Sequence, residues 1–250
     1  MRGDPFPRLG AWVKLPAPES VELLALAGFD FAVIDAEHGA IDTRTMSTMI
    51  GLARGCGLAP FVRVAGTAPR DVQVPLDAGA AGLLVPQIED ADRARDAVRA
   101  SRFPPLGGRG ASTSGRAGRW GLEALGDYLR TGNEDVRLVV QAESAGALKA
   151  IAEIGEVPGV DAVFIGPTDL AVSSGFGEND SALADLIGAA ERRCAEHGIT
   201  LGTTAAGNAA ELLDSRGYSF LVLGADTTML RQAAHTLVSA VHTATTGADR

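Results

Sequence analysis

Glu143 and Asp169 each close a short apolar run and each stands before a helix-like stretch. The runs are Leu138-Val139-Val140-Gln141-Ala142-Glu143 and Ala162-Val163-Phe164-Ile165-Gly166-Pro167-Thr168-Asp169. A third, Phe31-Ala32-Val33-Ile34, ends in Asp35-Ala36-Glu37-His38. Two carboxylates and a histidine at strand ends are what an oxygen-ligated divalent cation beside a proton-transfer group requires. No spacing among them is a local metal signature, so the chemistry depends on a fold that gathers distant strand ends.

Each residue also has a plainer reading. Asp169 is placed to cap the next helix, and Glu143 to sit in a first turn where the helix dipole favours a carboxylate. Arg63, on the apolar run Ala59 to Val64, is harder to set aside, because a buried guanidinium demands an anionic partner. Glu37 is a candidate for that partner or for a turn cap. Of the four histidines, His197, His235 and His242 fall on helix-like stretches, and only His38 follows a buried run. Asp35, three residues earlier, is placed to orient its ring or hold its charge. The two lysines are Lys14 and Lys149; Lys149 sits mid-helix, so Lys14 is the one credible Schiff-base nucleophile.

The elements that must position these groups alternate along the whole chain. Strand-like runs are Ala11 to Leu15, Phe29 to Ile34, Ala59 to Val64, Gly82 to Val85, Arg137 to Gln141, Ala162 to Ile165, Ile199 to Thr203 and Phe220 to Leu223. Their near-continuous apolar character suits parallel strands buried on both faces. Between them, Asp42 and Asp90 are N-caps, and Gly57 and Gly217 are stop signals. Leu230, Ala234, Leu237 and Val241 line one face of the last helix. Eight strands alternating with helices predict a (β/α)8 TIM barrel, as one domain over residues 1–250. No glycine-rich dinucleotide fingerprint follows the first strand, which disfavours an open doubly wound sheet. The irregular stretch from Phe103 to Gly121 is expected as a loop over the barrel mouth or an interface arm, with Arg116 and Arg119 as candidates at the mouth.

Composition narrows the partners. A net charge of −9 argues against nucleic acid. The start, Met1-Arg2-Gly3-Asp4-Pro5-Phe6-Pro7, has no apolar leader, and no later apolar run is long enough to span a bilayer. Cys56 and Cys194, both on helix-like stretches, do not suggest disulfide stapling. A cytoplasmic protein without membrane partners is expected.

The motifs together resemble the HpcH/HpaI aldolases, metal-dependent class II pyruvate aldolases of the phosphoenolpyruvate/pyruvate barrel superfamily, from Gly10 to about Ala240. The resemblance rests on Ala27-Gly28-Phe29-Asp30, Ile34-Asp35-Ala36-Glu37-His38, Val62-Arg63-Val64, Leu76-Asp77-Ala78-Gly79, Leu84-Val85-Pro86, Pro104 to Gly110, Gln141-Ala142-Glu143, Gly166 to Leu170 and Gly224-Ala225-Asp226-Thr227. It implies Glu143 and Asp169 as ligands of a divalent metal (Mg2+, Mn2+ or Co2+). It implies His38 as acid/base supported by Asp35, with Asp77 an acidic neighbour of that network. Arg63 is implied to hold the pyruvyl oxygen and stabilise the enolate, and Gln141, Gly166, Pro167 and Thr168 to line the pyruvate pocket. A hexamer, a trimer of dimers with exchanged C-terminal helices, is also implied. The sequence departs from the family at Ala142 and Ser144, and Lys14 inherits no role.

The activity expected is reversible cleavage of a 4-hydroxy-2-oxo acid into pyruvate and an aldehyde. The alternatives are an enolpyruvate-forming oxaloacetate decarboxylase or biosynthetic C–C bond-forming enzyme on the same site, and a non-catalytic keto-acid-binding barrel.

Overall fold

A computed structural model of the chain describes residues 6–177, 180–205 and 207–247, with side chains through His242. The eight strands are β1 (Leu9–Val13), β2 (Phe31–Asp35), β3 (Ala59–Arg63), β4 (Gly82–Val85), β5 (Arg137–Ala142), β6 (Ala162–Ile165), β7 (Leu201–Thr204) and β8 (Phe220–Ala225). They pair in chain order, all parallel, and β8 closes on β1. The fold is the (β/α)8 barrel read from the alternation.

A strand's side chains alternate between faces, so a closed sheet sorts each strand into inward and outward sets. Inside lie Trp12, Phe31, Val33, Phe61, Leu84, Val139, Phe164, Phe220 and Val222. Outside, Ala32, Ile34, Val62, Leu83, Val140 and Val163 pack beneath the helices. The interior is a plug of aromatic rings, with Phe31 and Phe61 edge to face at 5.5 Å. Small residues make room for it: a β-carbon on Gly202 would fall 2.2 Å from the Phe220 ring.

Continuing the same alternation past the plug puts Lys14, Asp35, Arg63, Gln141 and Glu143 on the inward side at the C-terminal ends of β1, β2, β3 and β5. That end of the barrel carries the site. Asp42 and Asp90 cap their helices as expected, accepting from Thr45 N at 2.7 Å and Arg93 N at 2.8 Å.

Two expectations shift, and one apolar face is located. Strand β1 begins two residues earlier than its apolar run implied, because Gly10 lets the Phe31 ring approach the backbone. The stretch after Phe103 does not cover the mouth. Gly115 packs on the Asp77 carbonyl, and Arg116 lies against Gly51 and Gly79. Asp77 closes the helix Pro69–Asp77, which has returned to the opposite end of the barrel. Lastly, the apolar stripe of the helix Asp226–Gly247 faces outward: Leu230 is 63% and Leu237 72% exposed. Helical spacing shows that a face is apolar but not which molecule covers it.

Candidate active site

Asp35 is the anchor. It is wholly buried at the end of β2 and receives Arg63 through two hydrogen bonds, Nε to Oδ1 at 3.0 Å and Nη2 to Oδ2 at 2.6 Å. The parallel register aligns the two residues directly across β2 and β3. Lys14 donates to the same Oδ2 at 2.5 Å, and the backbone N–H groups of Glu37 and His38 donate to Oδ1. Burial alone would raise the Asp35 pKa; the Arg63 and Lys14 donors outweigh it and hold the carboxyl down at about 2. The remaining Arg63 nitrogen, Nη1, reaches Glu37 Oε2 at 3.3 Å. Beneath the guanidinium lies the Trp12 ring, 4.4 Å away, a cation–π contact in a buried setting.

This corrects one expectation. Asp35 does not hold the His38 ring: its oxygens are taken by Arg63, Lys14 and main chain, and its bond to His38 is to the backbone N–H. The His38 side chain is 57% exposed, and its Nε2 faces Glu37 Oε2 at 3.8 Å. Asp77 departs further. It accepts from Arg109 Nη2 at 2.6 Å and from Tyr128 at 3.1 Å, with no contact to Asp35 or His38 within the chain. Sequence distance from Arg63 says nothing about which end of the barrel a helix terminus reaches. Arg116 and Arg119 likewise lie away from the pocket lining.

Glu143 faces this cluster from the end of β5. It is nearly buried; Oε2 accepts from Gln87 N at 3.2 Å and Oε1 from Gln141 Nε2. Gln87 turns its N–H toward that oxygen by adopting φ 58°, a left-handed conformation that costs a non-glycine residue about 1–3 kcal/mol. Burial pushes the Glu143 carboxyl up to about 7; the Gln87 N–H opposes the rise, and the negative charges of Asp169 and Glu37 add to it. Those carboxylates are thus close enough to be felt. Asp169 stands in the first turn of the helix Pro167–Ser174, exposed, and does not cap it: the N-cap is Gly166.

Beside them lies a pocket of about 280 Å³ lined by Trp12, Lys14, His38, Arg63, Gln141, Phe164, Gly166, Pro167, Thr168, Asp169 and Thr204, with Glu143 packed behind Gln141 and Gly166. The carboxylate of Asp169, the amide of Gln141 and the Gly166-Pro167-Thr168 backbone therefore share one space with Arg63 and His38. Gln141 Oε1 is buried without a hydrogen-bond partner, an acceptor open to a ligand. Among the described residues no group of three or more His, Cys, Asp and Glu has the arrangement of a metal cage. An all-oxygen pair such as Glu143 and Asp169 suits a hard divalent cation that keeps open positions, and their mutual repulsion is what such a cation relieves. Sequence reasoning missed Gln87 and Thr204 and left Lys14 without a function. The lysine was findable from alternation, being inward and one step past Trp12.

An enzyme of the aldolase class is what this barrel and its inward layer amount to, and comparison with known proteins agrees. The chain belongs to the HpcH/HpaI aldolase/citrate lyase family, whose model matches residues 8–233. It is 38% identical over 240 residues to a 4-hydroxy-2-oxo-heptane-1,7-dioate aldolase of Escherichia coli, covering 93% of this chain and 90% of that one. It is 40% identical over 230 residues to a hydroxypyruvate/pyruvate aldolase of Roseovarius nubinhibens, covering 90% and 89%. The crystal structure of an HpcH/HpaI aldolase/citrate lyase family protein from Burkholderia cenocepacia superposes with a TM-score of 0.89 at 34% identity, covering 96% of both chains. The protein is a carbon–carbon lyase of the aldolase type. No helix among the described residues is long and apolar enough to cross a membrane.

Proposed function

We propose that the enzyme reversibly cleaves short 4-hydroxy-2-oxo acids into pyruvate and an aldehyde, with one divalent cation held by Glu143 and Asp169. The observation that carries this reading is the buried Glu143 carboxyl, raised to about 7 by burial and by the company of Asp169 and Glu37, beside a pocket lined by Asp169 and the fixed charge of Arg63. When bound, the cation supplies Lewis-acid polarisation of the keto acid.

The chain's own groups account for the rest. Arg63 is held rigid by Asp35 and Glu37 and stacked on Trp12, so its positive charge meets the enolate oxygen without reorganising. Gln141 and the Gly166-Pro167-Thr168 turn orient the pyruvyl half. His38, exposed at the pocket rim, takes the 4-hydroxyl proton in cleavage and returns it in addition. Family likeness and the pocket's size support small aldehydes as acceptors, several of them rather than one. The test is pyruvate release from a 4-hydroxy-2-oxo acid by wild type and His38→Ala. A loss of about 10²–10⁴-fold in turnover with keto-acid binding kept is expected; equal turnover would remove His38 from the chemistry.

The outward apolar face of the last helix supports self-association through Leu230, Leu237 and Val238. Leu237→Glu is expected to lower the sedimenting mass; an unchanged mass would argue against this face.

A further inference from the structure

Glu143 follows β5 and Lys14 follows β1, four strands away whichever way round the closed barrel is followed. Nothing in the reading above uses Lys14, yet the fold fixes it at both ends. The backbone N–H groups of Lys14 and Leu15 donate to Asp226 Oδ1 and Oδ2, at 3.0 and 3.1 Å, where the last helix begins. Its ammonium donates to Asp35 Oδ2.

Asp35 has four other donors beside it. A carboxylate offers roughly four lone-pair positions. Oδ1 takes Arg63 Nε and the N–H groups of Glu37 and His38, and Oδ2 takes Arg63 Nη2. Lys14 shares Oδ2 with that guanidinium nitrogen. Of the buried trio it has the most exposed side chain, 30% against 0% for Asp35 and 7% for Arg63, and it lines the pocket beside Arg63. An ammonium carries three donors, and Asp35 takes one. The side chain that carries the others lines the same pocket as Trp12, His38, Asp169 and Thr204.

We infer that Lys14 is a catalytic residue of the aldehyde half of the reaction, donating to the oxygen on C4. That atom is a hydroxyl in the hydroxy-oxo acid and the carbonyl oxygen of the aldehyde. This rests on the aldolase reading of the same pocket. In cleavage the C4 hydroxyl gives its proton to His38, the C3–C4 bond breaks with its electron pair passing to the pyruvate enolate, and the C4–O bond becomes a carbonyl. In addition the enolate carbon attacks the carbonyl carbon, the π pair moves onto oxygen, and His38 returns the proton. Negative charge builds on that oxygen in both directions, and a prepositioned ammonium stabilises it more than either ground state. Lys14 donates a hydrogen bond and forms no bond to carbon, so no Schiff base is involved. Arg63 serves the enolate oxygen, and the two cations divide the reaction between them.

The experiment compares two rates in full-length, metal-loaded enzyme: aldol cleavage, and exchange of the pyruvate methyl hydrogens with D2O in the absence of aldehyde. Exchange requires the enolate but has no C4 oxygen. In Lys14→Met the ratio of cleavage to exchange is expected to fall by about 100-fold, as on loss of one oxyanion donor. Lys14→Gln, which keeps an N–H, is expected to lose less and serves if the methionine variant does not fold. An unchanged ratio, whether both rates persist or drop together, would overturn the proposal and leave Lys14 as support for Asp35. Wild-type enzyme that shows no exchange at all would instead defeat the aldolase reading on which the proposal rests.

Discussion

Gly166 stands against the side chain of Glu143 so closely that a β-carbon on it would lie 3.1 Å from Cγ and 3.3 Å from Oε1. The glycine's backbone has φ −92°, so its conformation admits any residue; what excludes a larger one is the carboxylate. Gly166→Ala should therefore keep the fold and displace Glu143 by a few tenths of an ångström. We predict a loss of stability within the ~1–3 kcal/mol of an overpacked site, with a larger effect on function: about tenfold weaker binding of the divalent cation. Titration of both proteins with Mn2+ checks it, and equal affinities would mean that Glu143 is not held in a ligand pose by this contact.

The raised pKa of Glu143 makes a prediction about the metal-free protein. Its folded-state value, about 7, lies above the ordinary 4.5. Below pH 4.5 the carboxyl is neutral folded or unfolded. As pH rises, the unfolded chain ionises first, so the stability contributed by the neutral form is lost up to about pH 7. Denaturant unfolding in chelator should show wild type losing roughly 2–3 kcal/mol between pH 5 and pH 8 relative to Glu143→Gln. Parallel pH profiles for the two proteins would contradict this.

Asp35 carries the opposite sign. Its folded pKa is depressed to about 2, so its contribution is in force above the ordinary 3.8 and fades as pH falls toward 2. Asp35→Asn would leave Arg63 and Lys14 as paired donors without a counter-charge. Removing one partner of a buried ion pair costs about 3–5 kcal/mol. Urea unfolding at pH 7 should show that loss, narrowing in acid; a variant as stable as wild type would mean that Glu37 suffices as counter-ion.

Alternation made the barrel and most of the pocket readable. Arg63 on an apolar strand announced a buried anion, and Asp35 and Glu37 supply it. What stayed hidden was cross-strand. The pairing of Val13 with Ile34 in the β1–β2 register carries Lys14 to Asp35, and no local spacing announces it. Asp35 and His38 are three residues apart, which suggested a side-chain pair. The chain turns after β2 and presents the His38 backbone to Asp35 instead, sending the ring to the rim. Asp77, at a helix C-terminus, pairs within its own chain with Arg109 and Tyr128 rather than with Asp35 or His38. The outward stripe of Leu230 and Leu237 has the same periodicity an inward one would have, so only coordinates distinguish them.

The proposed chemistry requires Glu143 and Asp169 to grip one ion between them. Mn2+ binding to chelator-treated protein, followed by electron paramagnetic resonance, tests this most directly. We predict one bound ion per chain in wild type, with binding weakened at least tenfold in both Glu143→Gln and Asp169→Asn and aldol cleavage returning in step with occupancy. Undiminished binding in either variant, or full cleavage by the metal-stripped enzyme, would contradict it.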